Sequence, residues 1–378
     1  DQIGHRGARL HGLWNEQFAA YHGHYPDLAH EIDCIQAGDL PDEWDVLRSF
    51  PPDTKGIATR DSSGTTLNAI AEKVPWVLGG AADLAPSTKT HLNFELAGEF
   101  QPSGDADYHG RNFHFGVREH AMCAIANGMA LSKLRPFASS FFVFTDYCRA
   151  ALRLSALMEL PVVYIWTHDS VSLGEDGPTH QPIEHLASLR AMPGMIVIRP
   201  ADANEVVEAW RVILQLKNRP ASLVLTRQAL PTLDRTEYAS ASGLARGAYV
   251  LIDAPGAKPD VLLMATGSEV ALCVAAHQQL MSEGIQARVI SMPCWELFDA
   301  QTIEYRNSVL PPEVISRVAV EEGSTFGWER YTGAHGAIIG IHCFGLSAPI
   351  EVVQRHFGFT PDHVVNAARQ QIALARSA

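Results

Sequence analysis

The chain has 378 residues, 47% of them hydrophobic, and a formal net charge of −13 at pH 7. This size and composition allow two or three domains with large apolar cores, and the negative charge argues against a nucleic-acid partner. No apolar run approaches the roughly 20 residues that cross a bilayer, and the six cysteines include no CxxC pair, which favours a reducing, cytoplasmic setting and argues against a zinc site.

Residues 1–52 are predicted to form helices rich in histidine and acidic residues, followed by a linker with several prolines. The expected apolar anchors of these helices are Leu13, Phe18, Tyr21 and Tyr25. The chain begins at Asp1, and its first methionine is Met122. We therefore expect it to be part of a longer polypeptide.

Residues 53–238 alternate short apolar runs with helical patterns. The runs of strand length are Trp76–Gly79, Val162–Thr167, Ile196–Ile198 and Leu223–Thr226. Helices are expected at Thr66–Lys73, Val117–Ser132, Asp146–Met158 and Asn204–Leu216, the last with Asn204 as its cap. This alternation is typical of a parallel sheet covered by helices on both faces.

A linker rich in Ser, Gly and Ala, residues 239–247, leads to a second α/β unit. Its predicted strands are Val261–Ala265, Ala287–Met292, Arg317–Val320 and Ala337–Ile341. A tight turn capped by Ser268 is expected to start one helix, although such a helix N-terminus can also bind an anion. Thr360 and Pro361 are expected to start the last helix. The predicted fold class is α/β, with a helical connector at 1–52 and consecutive three-layer domains at 53–238 and 239–378.

The stretch from Phe115 to Gly128 is central to the predicted site. A strand breaks at Gly116, and a helix follows it. The residues predicted on the apolar face of this helix are Val117, Ala121, Ala124, Ile125 and Gly128. Glu119 falls in the first turn, where the helix dipole favours a carboxylate. Spacing alone favours that role over contact with a cofactor ring.

Three further stretches have residues suited to a binding site. The Gly-rich run Gly79–Ser87 follows a strand, although a tight turn would explain it equally well. Phe141, Phe144 and Tyr147 recur at every third position, a stripe that is more often core than site. The polar run 168–182 leaves a strand, and in open α/β sheets ligands bind at the carboxyl ends of the strands.

These four stretches resemble segments of the transketolase family. The matching runs are FGVREHAM, GGAADLAPS, SSFFVFTDY and HDSVSLGEDGPTHQP. The resemblance implies a thiamine-diphosphate-binding fold in which Glu119 contacts N1′ of the aminopyrimidine ring and shares a proton with it. It also implies that Phe141, Phe144 and Tyr147 surround this ring, and that Asp83 lies near the cofactor and the dimer interface. The cofactor would supply the electron sink, and the protein would supply orientation and one carboxylate.

The resemblance also implies a sugar-phosphate site. The residues that match phosphate-binding positions of the family are Arg60, Ser87, His168 and Arg227. A guanidinium group suits this role because it presents a fork of donors. Asp176 is implied to contact the C2 hydroxyl of a ketose, and His180 to act with Glu119 near the reacting carbon.

The resemblance covers almost the whole chain, but only the later part of transketolase. The family's first domain binds the diphosphate and its Mg²⁺ or Ca²⁺ through a GDG motif, which this sequence lacks. We therefore expect the chain to hold the pyrimidine half of the cofactor site and no metal ligand. It would be inactive, or nearly so, until an N-terminal domain or subunit is supplied. The completed homodimer would transfer a two-carbon ketol unit from a ketose phosphate to an aldose phosphate, as in the pentose phosphate pathway or Calvin cycle.

Two other interpretations remain open from the sequence. One is a relative that shares the cofactor: dihydroxyacetone synthase, 1-deoxyxylulose-5-phosphate synthase or phosphoketolase. The intact GEDGPTHQP run and the two phosphate-matching arginines favour transketolase. The other is a non-catalytic assembly module, in which Glu119 or the aromatic residues would be lost first, yet all are present. Glu321, Glu322 and His335 are expected to serve structure or subunit contact.

Overall fold

The computed structural model describes residues 2–101, 108–256 and 258–377. Two helices open the chain, α1 (Gln2–His24) and α2 (Pro26–Ala37). No residue of α1 is buried, and its aromatic rings stack along the helix, with 5.0 Å between the centroids of Trp14 and Phe18. The predicted anchors therefore do not reach a core, since Leu13 is 48% exposed and Tyr25 is 55% exposed.

The next strands build the middle of the molecule. They are β1 (Asp53–Ala58), β2 (Val77–Ala81), β3 (Glu99–Phe100), β4 (Asn112–His114), β5 (Arg135–Phe141), β6 (Val163–Thr167), β7 (Ile196–Ile198), β8 (Ala221–Leu225) and β9 (Ala229–Thr232). Within the described residues, β2 to β8 form one parallel sheet in the order β3-β4-β2-β5-β6-β8-β7. β1 and β9 pair antiparallel as a separate ribbon.

Helices cover both faces of this parallel sheet. They are α3 (Thr59–Lys73), α4 (Ala85–Thr88), α5 (Glu119–Leu131), α6 (Thr145–Leu157), α7 (His185–Arg190) and α8 (Ala203–Gln215). Successive residues of β6 point to opposite faces. Val163 and Ile165 belong to the core that includes residues of α3 and α8, whereas Tyr164 and Trp166 belong to the core that includes residues of α5 and α6. We call this sheet and its helices the middle unit.

A second sheet follows, built from β10 (Tyr249–Ile252), β11 (Val261–Ala265), β12 (Ala287–Ser291), β13 (Arg317–Ser324) and β14 (Ala337–Ile341). The described strands run in the order β10-β12-β11-β13-β14, parallel except for β10. Its helices are α9 (Glu269–Ser282), α10 (Trp295–Asp299), α11 (Ile303–Val309), α12 (Glu329–Thr332), α13 (Ile350–Phe357) and α14 (Pro361–Ser377). We call this sheet and its helices the C-terminal unit. The α/β fold with mostly parallel sheets is confirmed.

No helix in the described parts of the chain is both long and apolar enough to cross a membrane. The last helix begins as predicted, because Thr360 Oγ1 accepts a hydrogen bond from the backbone N–H of His363 at 3.3 Å. The helix α8 is present where predicted, but its predicted cap was wrong. Asp202, not Asn204, caps this helix, accepting a hydrogen bond from the backbone N–H of Glu205 at 2.8 Å. The predicted cap of α9 was also wrong, since Ser268 makes no side-chain capping bond.

The apolar face predicted for α5 is not the face that the fold buries. Its buried residues are Glu119, Met122, Cys123, Ala126, Asn127 and Ala130. Val117, just before the helix, is 79% exposed and Ile125 is 47% exposed. Alanine occurs on both sides of the helix, so apolar periodicity could not identify the buried face. The structure thus leaves an apolar face of α5 open.

Candidate functional site

The predicted site residues lie where strands of the middle unit end. After β2, Asp83 lies in the loop and Ser87 in α4. Glu119 begins α5 after β4, and β5 ends at Phe141. The segments after β6 and β8 carry His168 and Arg227. Because these strands are parallel, their carboxyl ends meet at one edge of the sheet. We call this edge the site edge. Arg60 joins it from the first turn of α3.

Glu119 is the first residue of α5 and is only 7% exposed. Its Oε1 accepts a hydrogen bond from Ser140 Oγ at 3.1 Å. Among the described residues, no donor reaches its other carboxylate oxygen. A buried carboxylate is costly unless its oxygens are hydrogen-bonded. The second oxygen is therefore available to accept a hydrogen bond from a bound molecule.

The aromatic stripe beside Glu119 is not part of the core. Phe141 ends β5, a 3-10 turn follows (Phe142–Phe144), and α6 carries Tyr147. Phe141 and Phe144 are half-buried and stack with 5.9 Å between their centroids, while Tyr147 is 69% exposed. The intervening Phe142 is the ring that enters the core, at 0% exposure. Phe142 is thus a core residue, whereas the three residues of the stripe, Phe141, Phe144 and Tyr147, are not.

His168 lies directly against this stripe, with its ring centroid 3.7 Å from that of Phe141. Burial, together with the positive charges of Arg60 and Arg227, lowers the pKa of His168 to about 3. The imidazole is therefore neutral at neutral pH. Its Nδ1 lies 2.8 Å from Thr167 Oγ1, so if that hydroxyl donates, the ring proton is on Nε2.

The backbone of His168 has φ of 63°. This left-handed conformation costs a residue with a side chain about 1–2 kcal/mol. Strain of this kind persists only where the surrounding structure enforces it, and it is found more often at functional sites than elsewhere. The conformation therefore adds a second reason to assign His168 to the site.

Two guanidinium groups give this part of an acidic chain a local positive charge. Arg60 Nη1 donates to the backbone oxygen of Ser87 at 2.9 Å and to its Oγ at 3.4 Å. Arg60 Nε is buried and makes no hydrogen bond in the part of the chain that the structure describes. Burial lowers the pKa of Arg60, and Arg227 lowers it further, although Asp61 opposes this. The arrangement suits an anion with several oxygens.

The remaining predicted residues lie further out. The ring of His180 packs edge-on against Phe144, with 5.6 Å between centroids. Asp176 is exposed at the end of the 3-10 turn Val171–Asp176, and its side chain has no hydrogen bond or ion pair among the described residues. Asp83 is likewise exposed, with φ of 62°, and has no such partner there. The structure thus brings His180 to the rings, but shows no contact that joins Asp176 or Asp83 to them.

The donor set at the site edge suits a flat heteroaromatic ring. Phe141 and Phe144 offer partly open ring faces beside a carboxylate with one free oxygen on Glu119. A heteroaromatic ring can stack on such faces and donate an N–H to the carboxylate. Thiamine's aminopyrimidine has this chemistry, so the residues present fit that half of the cofactor.

One group of described residues has the donor types and spacing of a metal site: Asp146, Glu184 and His185. His185 Nε2 lies 3.4 Å from Asp146 Oδ1, and its Nδ1 lies 3.9 Å from Glu184 Oε2. Both carboxylates are more than half exposed, so water can satisfy them without an ion. We assign no metal here, and the absence of a metal ligand from this chain stays a prediction.

Sequence reasoning gave no role to two further residues at the site edge. Ser140 supplies the single protein hydrogen bond to Glu119 among the described residues, and Asp169, next to His168, is paired with Arg199 at 2.8 Å. Their partners are 21 and 30 residues away in the chain. Only their place inside the aromatic and polar runs could have indicated them.

Residues 55–232 match the family described as transketolase, pyrimidine binding domain, and residues 247–360 match the transketolase-like TK C-terminal domain. The transketolase of Halalkalibacterium halodurans is 51% identical over 98% of this chain and 55% of the relative. The chloroplastic transketolase of Craterostigma plantagineum is 49% identical over 97% of this chain and 70% of the relative. The chain spans about half the length of the bacterial transketolases that it matches.

Solved transketolase structures also match this chain. Transketolase from Pichia stipitis in complex with sedoheptulose 7-phosphate has a TM-score of 0.92 and 41% identity. The match covers 98% of this chain and 54% of that one. A protein described as a split gene transketolase, an inactive β4 tetramer, has a TM-score of 0.67 and 26% identity. Here the match covers 85% of this chain and 99% of the other.

Proposed function

Because this chain belongs to the transketolase family, we propose that it carries the pyrimidine half of a thiamine-diphosphate site for ketol transfer between sugar phosphates. The observation that carries this proposal is the buried carboxylate of Glu119, with one oxygen unpaired among the described residues and the other bonded to Ser140, which precedes Phe141 in the chain. Thiamine diphosphate, when bound, supplies the electron sink that makes transfer of a two-carbon unit possible.

Glu119 has the role of holding a proton at the edge of the bound aminopyrimidine. Ser140 donates to its Oε1, which fixes the carboxylate and leaves Oε2 to face the ring. Phe141 and Phe144 orient the ring by stacking, and Tyr147 extends the same aromatic surface. Asp83 belongs to the outer border of this half-site.

The phosphate of the substrate binds to Arg60, Ser87, His168 and Arg227. His168 contributes as a neutral donor, because burial and the neighbouring positive charges lower its pKa to about 3. The two guanidinium groups supply the charge that a dianion needs. Asp176 and His180 then contact the polyol, with His180 next to the rings and close to the reacting carbon.

The diphosphate and metal half of the site, with Mg²⁺ or Ca²⁺, would come from an N-terminal transketolase domain or subunit. This is supported by the share of the bacterial relatives that it spans, about half their length, and by the split-gene relative that is described as inactive. The active form is a homodimer of completed subunits. The exposed apolar residues of α5 and α6, among them Ile125 and Leu157, offer a surface for it. The protein acts in the cytoplasm.

The direct test is an assay of ketol transfer from xylulose 5-phosphate to ribose 5-phosphate, with and without a separately produced diphosphate-binding half of transketolase. We expect turnover only when both polypeptides, thiamine diphosphate and a divalent cation are present. Full activity from the isolated chain would refute the incomplete-site proposal. Turnover with formaldehyde or with pyruvate and glyceraldehyde 3-phosphate as substrates, in place of ketol transfer, would refute the transketolase assignment.

The dimer has its own test. Sedimentation of the isolated chain at micromolar concentration is expected to give a species of two chains or more, because the exposed apolar face would otherwise remain in water. A monomer under these conditions would count against association through the middle and C-terminal units.

A further inference from the structure

The loop of residues 168–182 joins β6 to α7 and carries the polar residues that the proposed function assigns to the substrate. Its conformation is not fixed by regular structure. The 3-10 turn within it is kinked at Gly174, where φ is 82° and ψ is −116°, and Gly177 follows with φ of 77°. A loop of this shape needs contacts from elsewhere to stay in one conformation.

Those contacts come from the C-terminal unit. The carboxylate of Glu322, in β13, accepts hydrogen bonds from Ser172 N at 3.2 Å and from Ser172 Oγ at 2.8 Å. Gln354, in α13, donates to Ser172 Oγ at 2.9 Å and to Glu322 Oε1 at 3.2 Å. Glu322 is 1% exposed, and Ser172 is fully buried. A charge-assisted bond at such depth is stronger than one in water.

The second half of the loop is held by the segment between β14 and α13. Ser347 Oγ donates to the backbone oxygen of Glu175 at 2.5 Å. Gln181 Nε2 donates within the loop to Gly174 O at 3.0 Å and across the interface to Leu346 O, also at 3.0 Å. Ser347 thus holds the residue that immediately precedes Asp176.

Close packing adds a steric constraint at the two bends of the loop. A Cβ at Gly174 would lie 3.1 Å from Ile350 Cγ1, and a Cβ at Gly177 would lie 3.1 Å from Ser347 Cβ. At Gly345 a Cβ would lie 1.7 Å from Gln181 Oε1. The loop and the C-terminal unit therefore fit together without space for an added methyl group.

We propose that the C-terminal unit positions the substrate: Glu322, Gln354 and Ser347 hold the 168–182 loop so that Asp176 and His180 meet the sugar. These three are positioning residues, since they act through the loop and do not touch the rings or Glu119. The effect on substrate binding rests on the proposed function, but the restraint of the loop by the C-terminal unit can be measured without turnover. It gives the C-terminal unit a role in substrate affinity.

The test compares the double variant Ser347→Ala/Gln354→Ala with a matched control, Ser282→Ala/Gln279→Ala. The control removes the same two residue types from exposed positions in α9, where Gln279 bonds to Asp362 and Ser282 to its own helix. Amide hydrogen exchange is measured on the isolated chain. We expect exchange within 168–182 to be about tenfold faster in the double variant, from the loss of hydrogen bonds to the loop. The control should match the unaltered chain.

A second arm uses the protein completed with its diphosphate-binding half. The KM for xylulose 5-phosphate is expected to rise about fivefold in the double variant with a smaller fall in kcat, because Glu119 and the rings are untouched while His180 moves with the loop. Ser347→Ala alone, at an exposed position, should show the same pattern more weakly and guards against a folding defect.

Unchanged exchange in the loop, or faster exchange with unchanged KM, would overturn the inference. If the unaltered completed protein shows no ketol transfer, the proposed function fails, and the exchange arm alone decides whether the C-terminal unit holds the loop.

Discussion

Buried charges at the interface between the two units have several partners within this chain, whereas the buried charge at the site edge of the middle unit has few. At the interface, Arg199 is 0% exposed and donates to Asp169 at 2.8 Å, while its other nitrogens bond to Glu269. Arg190 and Glu321 pair there through two bonds of 2.8 Å. At the site edge, Glu119 is almost as deeply buried, yet it has one protein hydrogen bond among the described residues.

The difference lies in whether residues of this chain supply the partners of a buried charge. Burying a charge is costly, so a buried charge is normally paired or hydrogen-bonded. At the interface each of these charges has an oppositely charged partner in this chain, although Asp169 Oδ1 and Arg190 Nε make no hydrogen bond among the described residues. At the site edge, one carboxylate oxygen of Glu119 has no donor among the described residues, and the proposed ligand would supply one. The comparison therefore predicts that removing a buried charge at the interface lowers stability, whereas removing the charge of Glu119 lowers activity.

The largest effect is expected from Arg199→Leu. This variant leaves Asp169 and Glu269 buried without their common cation, which typically costs about 3–5 kcal/mol in the free energy of unfolding. Urea denaturation of the isolated chain measures it. The control is Arg369→Leu, whose partner Glu283 is exposed, and here the cost should stay below about 1 kcal/mol. Equal costs for the two variants would remove the distinction between a structural interface and a surface pair.

The next effect is expected from Glu119→Gln in the completed protein. The amide keeps the shape and can still accept from Ser140, but it cannot hold a proton at the cofactor. Ketol transfer should fall about 100-fold or more, which is the usual contribution of a positioned acid or base. Glu283→Gln, far from the site edge, is the control. Unchanged turnover in the Glu119 variant would exclude Glu119 from the mechanism.

The sequence predicted the layers of the fold well, because buried parallel strands are continuous apolar runs. Val261–Ala265 and Ile196–Ile198 match the observed strands residue for residue. It missed β5 (Arg135–Phe141), in which Arg135 and two serines interrupt the apolar pattern while their polar groups are satisfied inside the fold. It also chose the wrong face of α5, since alanine lines both sides of that helix.

The site was predicted by resemblance more than by pattern. Spacing singled out Phe141, Phe144 and Tyr147, but only the structure shows that these rings lie outside the core while Phe142 enters it. Contacts that depend on distant residues left no local signal. Glu322 and Ser172 are 150 residues apart in the chain, so the restraint of the 168–182 loop became visible only in the folded molecule.

A smaller effect should follow from His168 as the pH falls. Its pKa is about 3 in the folded chain, below the ordinary value of 6.5. The unfolded state therefore binds more protons, so stability that is present above pH 6.5 is lost as the pH falls towards 3. The loss should be about 1 kcal/mol between pH 6.5 and 5.5, and His168→Asn should remove it. Urea denaturation at several pH values measures the slope.

Arg60→Gln tests the cause of that shift. Removing one neighbouring positive charge should raise the pKa of His168 and so reduce the pH dependence of stability without abolishing it, because burial is the larger cause. If His168→Asn leaves the pH dependence of the unaltered chain in place, the acid sensitivity belongs to another group.

The smallest effect on stability is expected from Tyr147→Ala, which makes the contrast between the two regions sharpest. The ring of Tyr147 is 69% exposed and its aromatic contact is with Phe144, so its removal should change the free energy of unfolding by less than about 0.5 kcal/mol. In the completed protein, the same change should weaken thiamine diphosphate binding by roughly 1 kcal/mol, or about fivefold, the usual scale of one aromatic contact.

Tyr164→Phe is the matched control. It removes the buried hydroxyl that donates to Asn127 at 2.9 Å, and should lower stability by about 1–3 kcal/mol while leaving cofactor affinity unchanged. If Tyr147→Ala destabilises the chain as much as Tyr164→Phe does, then its ring serves the fold, and the open aromatic surface at the site edge does not mark a place for a ligand.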